Sequence, residues 1–247
     1  MSELFVQTSY QNGRTMVSDS FFTSPLKIAK PFYREGGYTE VMVLSAGPGM
    51  LKGDRYDMRY EMRDNTDTML SAQSYQKLYN CAGGETLQSV RMDVGKYACL
   101  CYLPHPSVPF TGNNFTSDME VRLAGSSKFF FSDILACGRQ GMGERHSFGR
   151  FSSKVCVRVD ERPVFLDHTR LFTDEADFDK LGFYEGRACQ GLLYLYGYDD
   201  VALPTPQGDI EVAISKARAG FAVRMLSNSA DAAYQYAKTL WEATRAR

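Results

Sequence analysis

From about residue 39 onward, apolar and polar side chains alternate in short runs instead of recurring every third or fourth position. Tyr56, Met58, Tyr60 and Met62 alternate with Asp57, Arg59 and Glu61, the period-two pattern of a strand with one buried face. Met119, Val121 and Leu123 repeat the pattern, as do Val155, Val157 and Val159. Runs of this kind predict strands over 39–46, 55–62, 68–75, 86–94, 96–103, 117–123, 128–137, 150–159, 162–168, 189–197 and 209–225. Thr66-Asp67-Thr68 and Gly112-Asn113-Asn114 supply turns between them. Residues 1–30 read as an entry region of one or two strands carrying Phe21-Phe22, and Pro25 and Pro31 then space short extended pieces. Regular short strands with such breaks predict an all-β-dominated chain. No internal repeat or low-complexity linker is visible.

Two stretches break the pattern in favour of helix. Asp174 to Lys180 predicts a short acidic helix. At the C-terminal end Ala230, Ala233, Tyr234, Ala237, Leu240 and Trp241 follow helical spacing, with Ser229 as cap and Asp231 as first-turn anion. This second helix is expected to dock on the β body.

The segment Gly47-Pro48-Gly49-Met50-Leu51-Lys52-Gly53-Asp54 can continue neither a strand nor a helix, because Pro48 lacks a donor and glycine adopts backbone angles closed to other residues. It predicts a tight connection with Asp54 at the mouth of the next strand, where an aspartate commonly bonds its own turn. The glycine spacing is not that of a dinucleotide fold, and no Gly-Lys-Ser/Thr triplet follows, so neither phosphate-cradling motif is present.

At 247 residues and 44% hydrophobic content the chain can bury a substantial core, and a single domain over 1–247 is expected. A net charge of -1 without a Lys/Arg run argues against nucleic acid as a partner. There is no apolar stretch long enough for a membrane span and no leader pattern, so the expectation is a cytoplasmic protein. The six cysteines contain no C-x-x-C pair; Cys99 and Cys101 share one face of an apolar strand, as small core residues or a soft-metal pair. His105, His146 and His168 lack paired-ligand spacing.

The carboxylates are more suggestive. Asp54 follows the glycine turn, Asp133 lies inside Phe129-Phe130-Phe131-Ser132-Asp133-Ile134-Leu135-Ala136-Cys137, and Asp167 sits in Pro163-Val164-Phe165-Leu166-Asp167-His168. An acid in such a strand is costly to bury unless it is paired or wet; Arg139 is a candidate partner. Ordinary satisfied core pairs are one reading, and an acid–base pair of Asp54 and Asp133 in an enzyme is another.

Several ordered phrases together resemble the urease accessory protein family UreD, called UreH in some bacteria. They are Gly49 to Asp54, Ala72-Gln73-Ser74-Tyr75-Gln76-Lys77-Leu78-Tyr79, Leu103-Pro104-His105-Pro106-Ser107-Val108-Pro109-Phe110, Ser132 to Leu135 with Gly138-Arg139, Gly143-Glu144, Arg150-Phe151, and Arg162 to Leu171. The resemblance covers roughly residues 20 to 245. It implies an elongated, wound, β-helix-like fold with about two α-helices and a non-enzymatic scaffold role. Family members bind apo-urease and UreF, which recruits the GTPase UreG, and the assembly inserts nickel into urease. The absent P-loop fits, since nucleotide hydrolysis would belong to UreG.

The resemblance also implies an internal water-filled tunnel that passes nickel(II) transiently, with no tightly bound cofactor. Asp54, Asp133 and Asp167 are expected to line it, with Ser74 and Glu144 as further candidates. Residues 209–246, through Tyr234, Leu240 and Trp241, are expected to dock on UreF, and two UreD–UreF heterodimers to pair. A third reading, a β-rich structural or carbohydrate-binding protein, would use Tyr194, Tyr196 and Tyr198 as a platform.

Overall fold

The computed structural model describes residues 1–245. Two sheets lie face to face, and the chain crosses from one to the other turn after turn. A hairpin of β1 (Ser2–Gln11) and β2 (Arg14–Phe22) starts the first sheet. The short β3 (Leu26–Ile28) and β4 (Phe32–Tyr33) lead to β5 (Thr39–Ser45) in the second. Winding then alternates: β6 (Arg55–Met62) in the first sheet, β7 (Asp67–Ala72) in the second, and, after a short β8 (Gln76–Leu78), β9 (Thr86–Val94) in the first. β10 (Cys99–Leu103) returns to the second sheet, the short β11 (Ser107–Pro109) pairs with β8, and β12 (Asn114–Leu123), β13 (Lys128–Ala136) and β14 (Arg150–Val159) continue the coil.

Within each sheet every coil strand pairs in parallel with its counterpart one turn away, β6–β9–β12–β14 on one side and β5–β7–β10–β13 on the other. The result is a β-solenoid of about 4 turns. Antiparallel strands close it: β15 (Arg162–Phe172) on β14, and β16 (Cys189–Tyr196), then β18 (Phe221–Ser227) and β17 (Ile210–Lys216), on β13. The helix α1 (Ala230–Arg245) packs across the outside of the second sheet.

The two sheets carry different sequence patterns for a physical reason. The first buries only its inner face, through Tyr60, Met62, Val90, Met92, Val121 and Val157, so its strands alternate. The second is covered on both faces. Phe129 and Phe131 point inward, while Phe130, Leu193 and Leu195 pack outward against Ala233, Ala237, Leu240 and Trp241 of α1. Strands covered on both sides become continuous apolar runs, hence Phe129-Phe130-Phe131 and Leu192-Leu193.

Three expectations need correction. Residues 174–180 form turns, not a helix: Asp177 Oδ1 accepts the Asp179 N–H at 3.1 Å, and the Tyr184 N–H reaches back to the Phe178 carbonyl at 2.9 Å, which diverts the chain from a helical path. Among the described residues α1 is therefore the one α-helix, with a 3-10 turn at Gln140–Met142. The run 209–225 is a hairpin; its reversal at Gly220, with φ 85°, runs so close to the Leu195 carbonyl that a Cβ there would clash. The strand expected from residue 96 begins at Cys99, because Tyr97 has φ 56°. Ser229 caps α1 as expected, its Oγ accepting the Ala232 N–H at 3.2 Å. No helix of the described residues is long and apolar enough to cross a membrane.

Candidate functional site

A cavity of about 240 Å³ opens between the two sheets where β5, β7 and β10 end. Its rim is formed by Gly47-Pro48-Gly49, by Gln73 to Gln76, and by Pro104-His105. Gly49, with φ 147°, lies against the neighbouring turn; a Cβ there would meet Lys77 Cβ at 2.8 Å and clash with the Lys77 carbonyl. The Met50 N–H donates to that carbonyl at 2.8 Å and the Tyr79 N–H to Met50 O at 2.9 Å. The glycine-rich segment thus builds the rim of a cavity.

The wall mixes aromatic and thioether groups with a thread of polar ones. Gln76 Nε2 donates to Gln88 Oε1 at 2.6 Å, and Gln76 Oε1 accepts from Ser107 Oγ at 3.0 Å. Deeper in, Asp133 projects from β13 on the same side as Phe129 and Phe131, and Ser153 faces it from β14. Ser153 Oγ donates to Asp133 Oδ2 at 3.0 Å. Burial pushes the Asp133 carboxyl above the usual range, against the lowering effect of that hydrogen bond, and the nearby Asp167 raises it further. Asp133 still forms part of the cavity surface, so its environment is deep but not dry.

Asp167 is on β15, opposite Val155, and its side chain turns toward the second sheet. There it pairs with Arg224 of β18, and Thr169 Oγ1 donates to it at 3.2 Å. The register Asp133–Leu192–Arg224 across β13, β16 and β18 explains the meeting. The two acids taken from apolar strands therefore come together at the closing end of the solenoid.

The other expected site residues lie elsewhere. Asp54 Oδ2 accepts the Leu51 N–H at 2.7 Å, and the Asp54 N–H donates to Leu51 O at 2.9 Å. It is a turn aspartate outside the cavity wall, so turn chemistry outweighs its position at a strand mouth. Ser74 is exposed on the rim. Glu144 is gripped by Arg139, whose Nε donates at 2.8 Å, and that bond holds its carboxyl below the usual range. Arg139 in turn lies 4.0 Å over the Phe110 ring. Arg139 is thus the partner of Glu144 and not of Asp133, and Glu144 is not in the cavity wall.

Tyr234, Leu240 and Trp241 face inward: Leu240 is 0% and Trp241 1% exposed, and Trp241 meets Tyr38 edge-on at 5.0 Å. A partner at this helix would meet its other face; residue 246 of the expected docking segment lies outside the described residues. Tyr194, Tyr196 and Tyr198 form no surface platform, since Tyr194 is buried and stacked 4.1 Å from Phe165 and Tyr196 hydrogen-bonds to Gly125 O at 3.1 Å. Burial pushes Cys99 up to about 12 and Cys101 well above the usual thiol range, so both are thiols at neutral pH. Among the described residues no group of three or more His, Cys, Asp and Glu side chains is gathered to hold a metal. Gln76 and Gln88 escaped the sequence reading because ordinary polar residues in strands carry no signal of their own.

The family model described as UreD urease accessory protein matches residues 2–247. The chain is 34% identical to the urease accessory protein UreD of Acetivibrio thermocellus over 240 residues, covering 93% of this chain and 92% of that protein. It is 31% identical to the urease accessory protein UreH of Helicobacter pylori strain P12, over 71% of this chain and 66% of that one. To UreD of Flavobacterium johnsoniae it is 28% identical over 95% of this chain and 88% of the relative. The chain belongs to the UreD family of urease accessory proteins.

Proposed function

We propose that this chain acts in urease maturation as a non-catalytic scaffold in the cytoplasm, standing between apo-urease and a UreF–UreG complex, and that nickel(II) crosses it through the cavity between its sheets. The observation that carries the reading is Asp133, an acid placed on the wall of an interior cavity and held by a serine hydroxyl. A carboxylate there is a poor choice for a dry core and a good one for a cation path. Oxygen donors of Asp133, Asp167, serine and glutamine bind a divalent ion weakly enough to release it. Nickel is the cargo in this reading. Asp54 and Glu144, engaged in their own turns, drop out of the path, and Ser74 remains at its rim. UreF is assigned to the outer face of α1, and pairing of two UreD–UreF units to the partner.

The rival enzymatic reading pairs Asp54 with Asp133; what weighs against it is that Asp54 is engaged in its own turn, outside the cavity wall that carries Asp133. The test is the nickel content of urease from cells that express the urease genes with this chain, without it, and with Asp133→Ala or Asp167→Ala. Loading should need the chain and fall in both variants. Equal loading without the chain would refute the maturation role, and wild-type loading by folded, complexed variants would refute the path.

A further inference from the structure

Behind Asp133 a row of polar side chains leads out of the cavity. Along the second sheet Asp133 of β13 stands opposite Leu192 of β16, and Leu192 opposite Arg224 of β18, so the acid and the guanidinium share one face two strands apart. Along the first sheet Ser153 of β14, the donor to Asp133, stands opposite Thr169 of β15. Thr169 Oγ1 donates to Asp167 Oδ2 at 3.2 Å, and Asp167 Oδ1 accepts from the Arg224 guanidinium. Exposure rises along the row, from 6% at Ser153 to 13% for the Asp167 side chain and 56% for that of Arg224. The row thus runs from the cavity wall to solvent.

An apolar closure would cost less at this place. The inward face of β15 carries Phe165, Asp167, Thr169 and Leu171; Phe165 stacks on Tyr194 of the second sheet, and Leu171 is buried. Apolar groups therefore seal β15 on either side of the pair, and Asp167 and Thr169 interrupt the seal. A carboxylate is costly to bury, and an ion pair whose arginine is more than half exposed returns little stability. Stability alone does not account for the interruption. The pairs Arg139–Glu144 and Arg145–Asp179 hold loops together outside the cavity wall. Arg224, by contrast, is near enough to the cavity acid to act on it, lowering the Asp133 carboxyl while Asp167 raises it.

We infer that the cavity has a second mouth at the seam between β15 and β18, and that Arg224 is the residue that gates it by capping Asp167. In place, the guanidinium fills the outer end of the polar row and repels cations that approach along it. A pair with one solvent-exposed member is weakly held, so the side chain swings out readily and leaves Asp167 and Asp133 open to a small hydrated cation. Together with the rim at Gly47-Pro48-Gly49, this makes the cavity a passage with two openings instead of a blind pocket. The gate rests on the nickel-path reading for its cargo; the mouth itself does not.

The test places a thiol at the depth of Asp133 without touching the bond from Ser153. Ser117 is buried in the cavity wall and stands opposite Ser153 on the neighbouring strand β12, so Ser117→Cys serves. The full chain is exposed for set times to aminoethyl methanethiosulfonate, a small cation, and modification of each cysteine is read by peptide mass spectrometry. Entry through the rim is common to every variant, so differences between variants report the second mouth. Adding Arg224→Gln should speed modification of the introduced thiol by at least about twofold, the shift in open population that release of an exposed ion pair allows. Arg224→Lys should restore the slow rate, and both variants should melt like the parent. The native Cys101 and Cys189, buried away from this row, should react no faster. An unchanged rate in Arg224→Gln, or acceleration shared equally by Cys101 and Cys189, would overturn the inference. If urease loading needs the chain while modification ignores Arg224, the gate alone falls. If modification responds to Arg224 while urease loads without the chain, the maturation role alone falls.

Discussion

Ser153 on β14 donates its hydroxyl to Asp133 on β13 across the interior of the solenoid, at 3.0 Å. One residue comes from each sheet, so the contact ties the two walls of the cavity together at the depth where its only wall carboxylate among the described residues sits. Because β13 and β14 are consecutive in the chain, one coil of the solenoid supplies both halves of the contact. The remaining coils supply the walls above it.

The raised Asp133 carboxyl has a consequence for stability. A group whose folded-state pKa lies above its unfolded value binds its proton more tightly when folded. Below the unfolded value, about 4, both states are protonated and no penalty exists; as pH rises through the folded-state value, the carboxylate must ionise inside the fold and stability is lost. Asp133→Asn keeps the shape and an acceptor for Ser153 but removes the charge. It should raise Tm at pH 7, with about 2–4 °C for each kcal/mol gained in a chain of this size, and the gain should vanish near pH 4. Thermal melts across that range check this, and a gain independent of pH would contradict it.

Asp54→Ala should separate stability from cargo transfer. The variant leaves the Leu51 N–H without its acceptor, at a cost of about 1 kcal/mol, and should lower Tm by a few degrees. Nickel loading of urease should stay at wild-type level, in contrast to Asp133→Ala. A melt paired with metal analysis of purified urease measures both, and loss of loading in a well-folded Asp54→Ala protein would return this residue to the path.

What the sequence made legible follows from which forces act locally. Strands of the first sheet were readable because a single buried face imposes strict alternation, and Asp133 and Asp167 stood out as acids in apolar runs. The coil was expected from the family resemblance and is borne out, but no residue pattern showed it: Arg55 pairs with Leu87, Leu87 with Thr116, and Thr116 with Ser152, at unequal spacings and with unlike residues, so the repeat exists in backbone pairing and not in the letters. The run 209–225 concealed a hairpin because Ala217 to Gly220 interrupts it only weakly. Asp54 misled for the opposite reason, since a turn aspartate and a site aspartate look the same until their partners are seen.

Arg245 is a clasp between the end of α1 and the sheet beneath. Its Nη1 donates to both Asp67 oxygens at 2.9 Å, its Nη2 to Gly36 O at 2.9 Å, and its guanidinium lies 4.5 Å over the Tyr38 ring and 5.3 Å over that of Trp241. Burial already pushes the Asp67 carboxyl up, and Arg245 is what opposes it. Arg245→Ala should cost about 2 kcal/mol, as expected for lost hydrogen bonds to a charged group, and lower Tm by about 4–8 °C. The added change Asp67→Asn should recover part of that loss by removing the stranded charge. Urea unfolding of the single and double variants tests this, and strict additivity would deny the clasp.

The helix α1 offers a partner only the face it does not use internally. Trp241, Leu240 and Tyr234 fill the outer core, and Trp241→Ala should cost about 3–5 kcal/mol, so its effect on complex formation would report misfolding. A truncation after Asn228 would strip the same core and is equally uninformative. Gln235, Lys238 and Glu242 are exposed on the opposite side. If UreF docks there, Lys238→Glu together with Glu242→Lys should weaken co-purification with UreF while leaving Tm within about 1 °C, since surface changes away from packing contacts cost little. The pairing is measured by quantitative pull-down alongside a melt. Unchanged capture by the doubly reversed protein would move the UreF contact off this helix and onto the sheet edges.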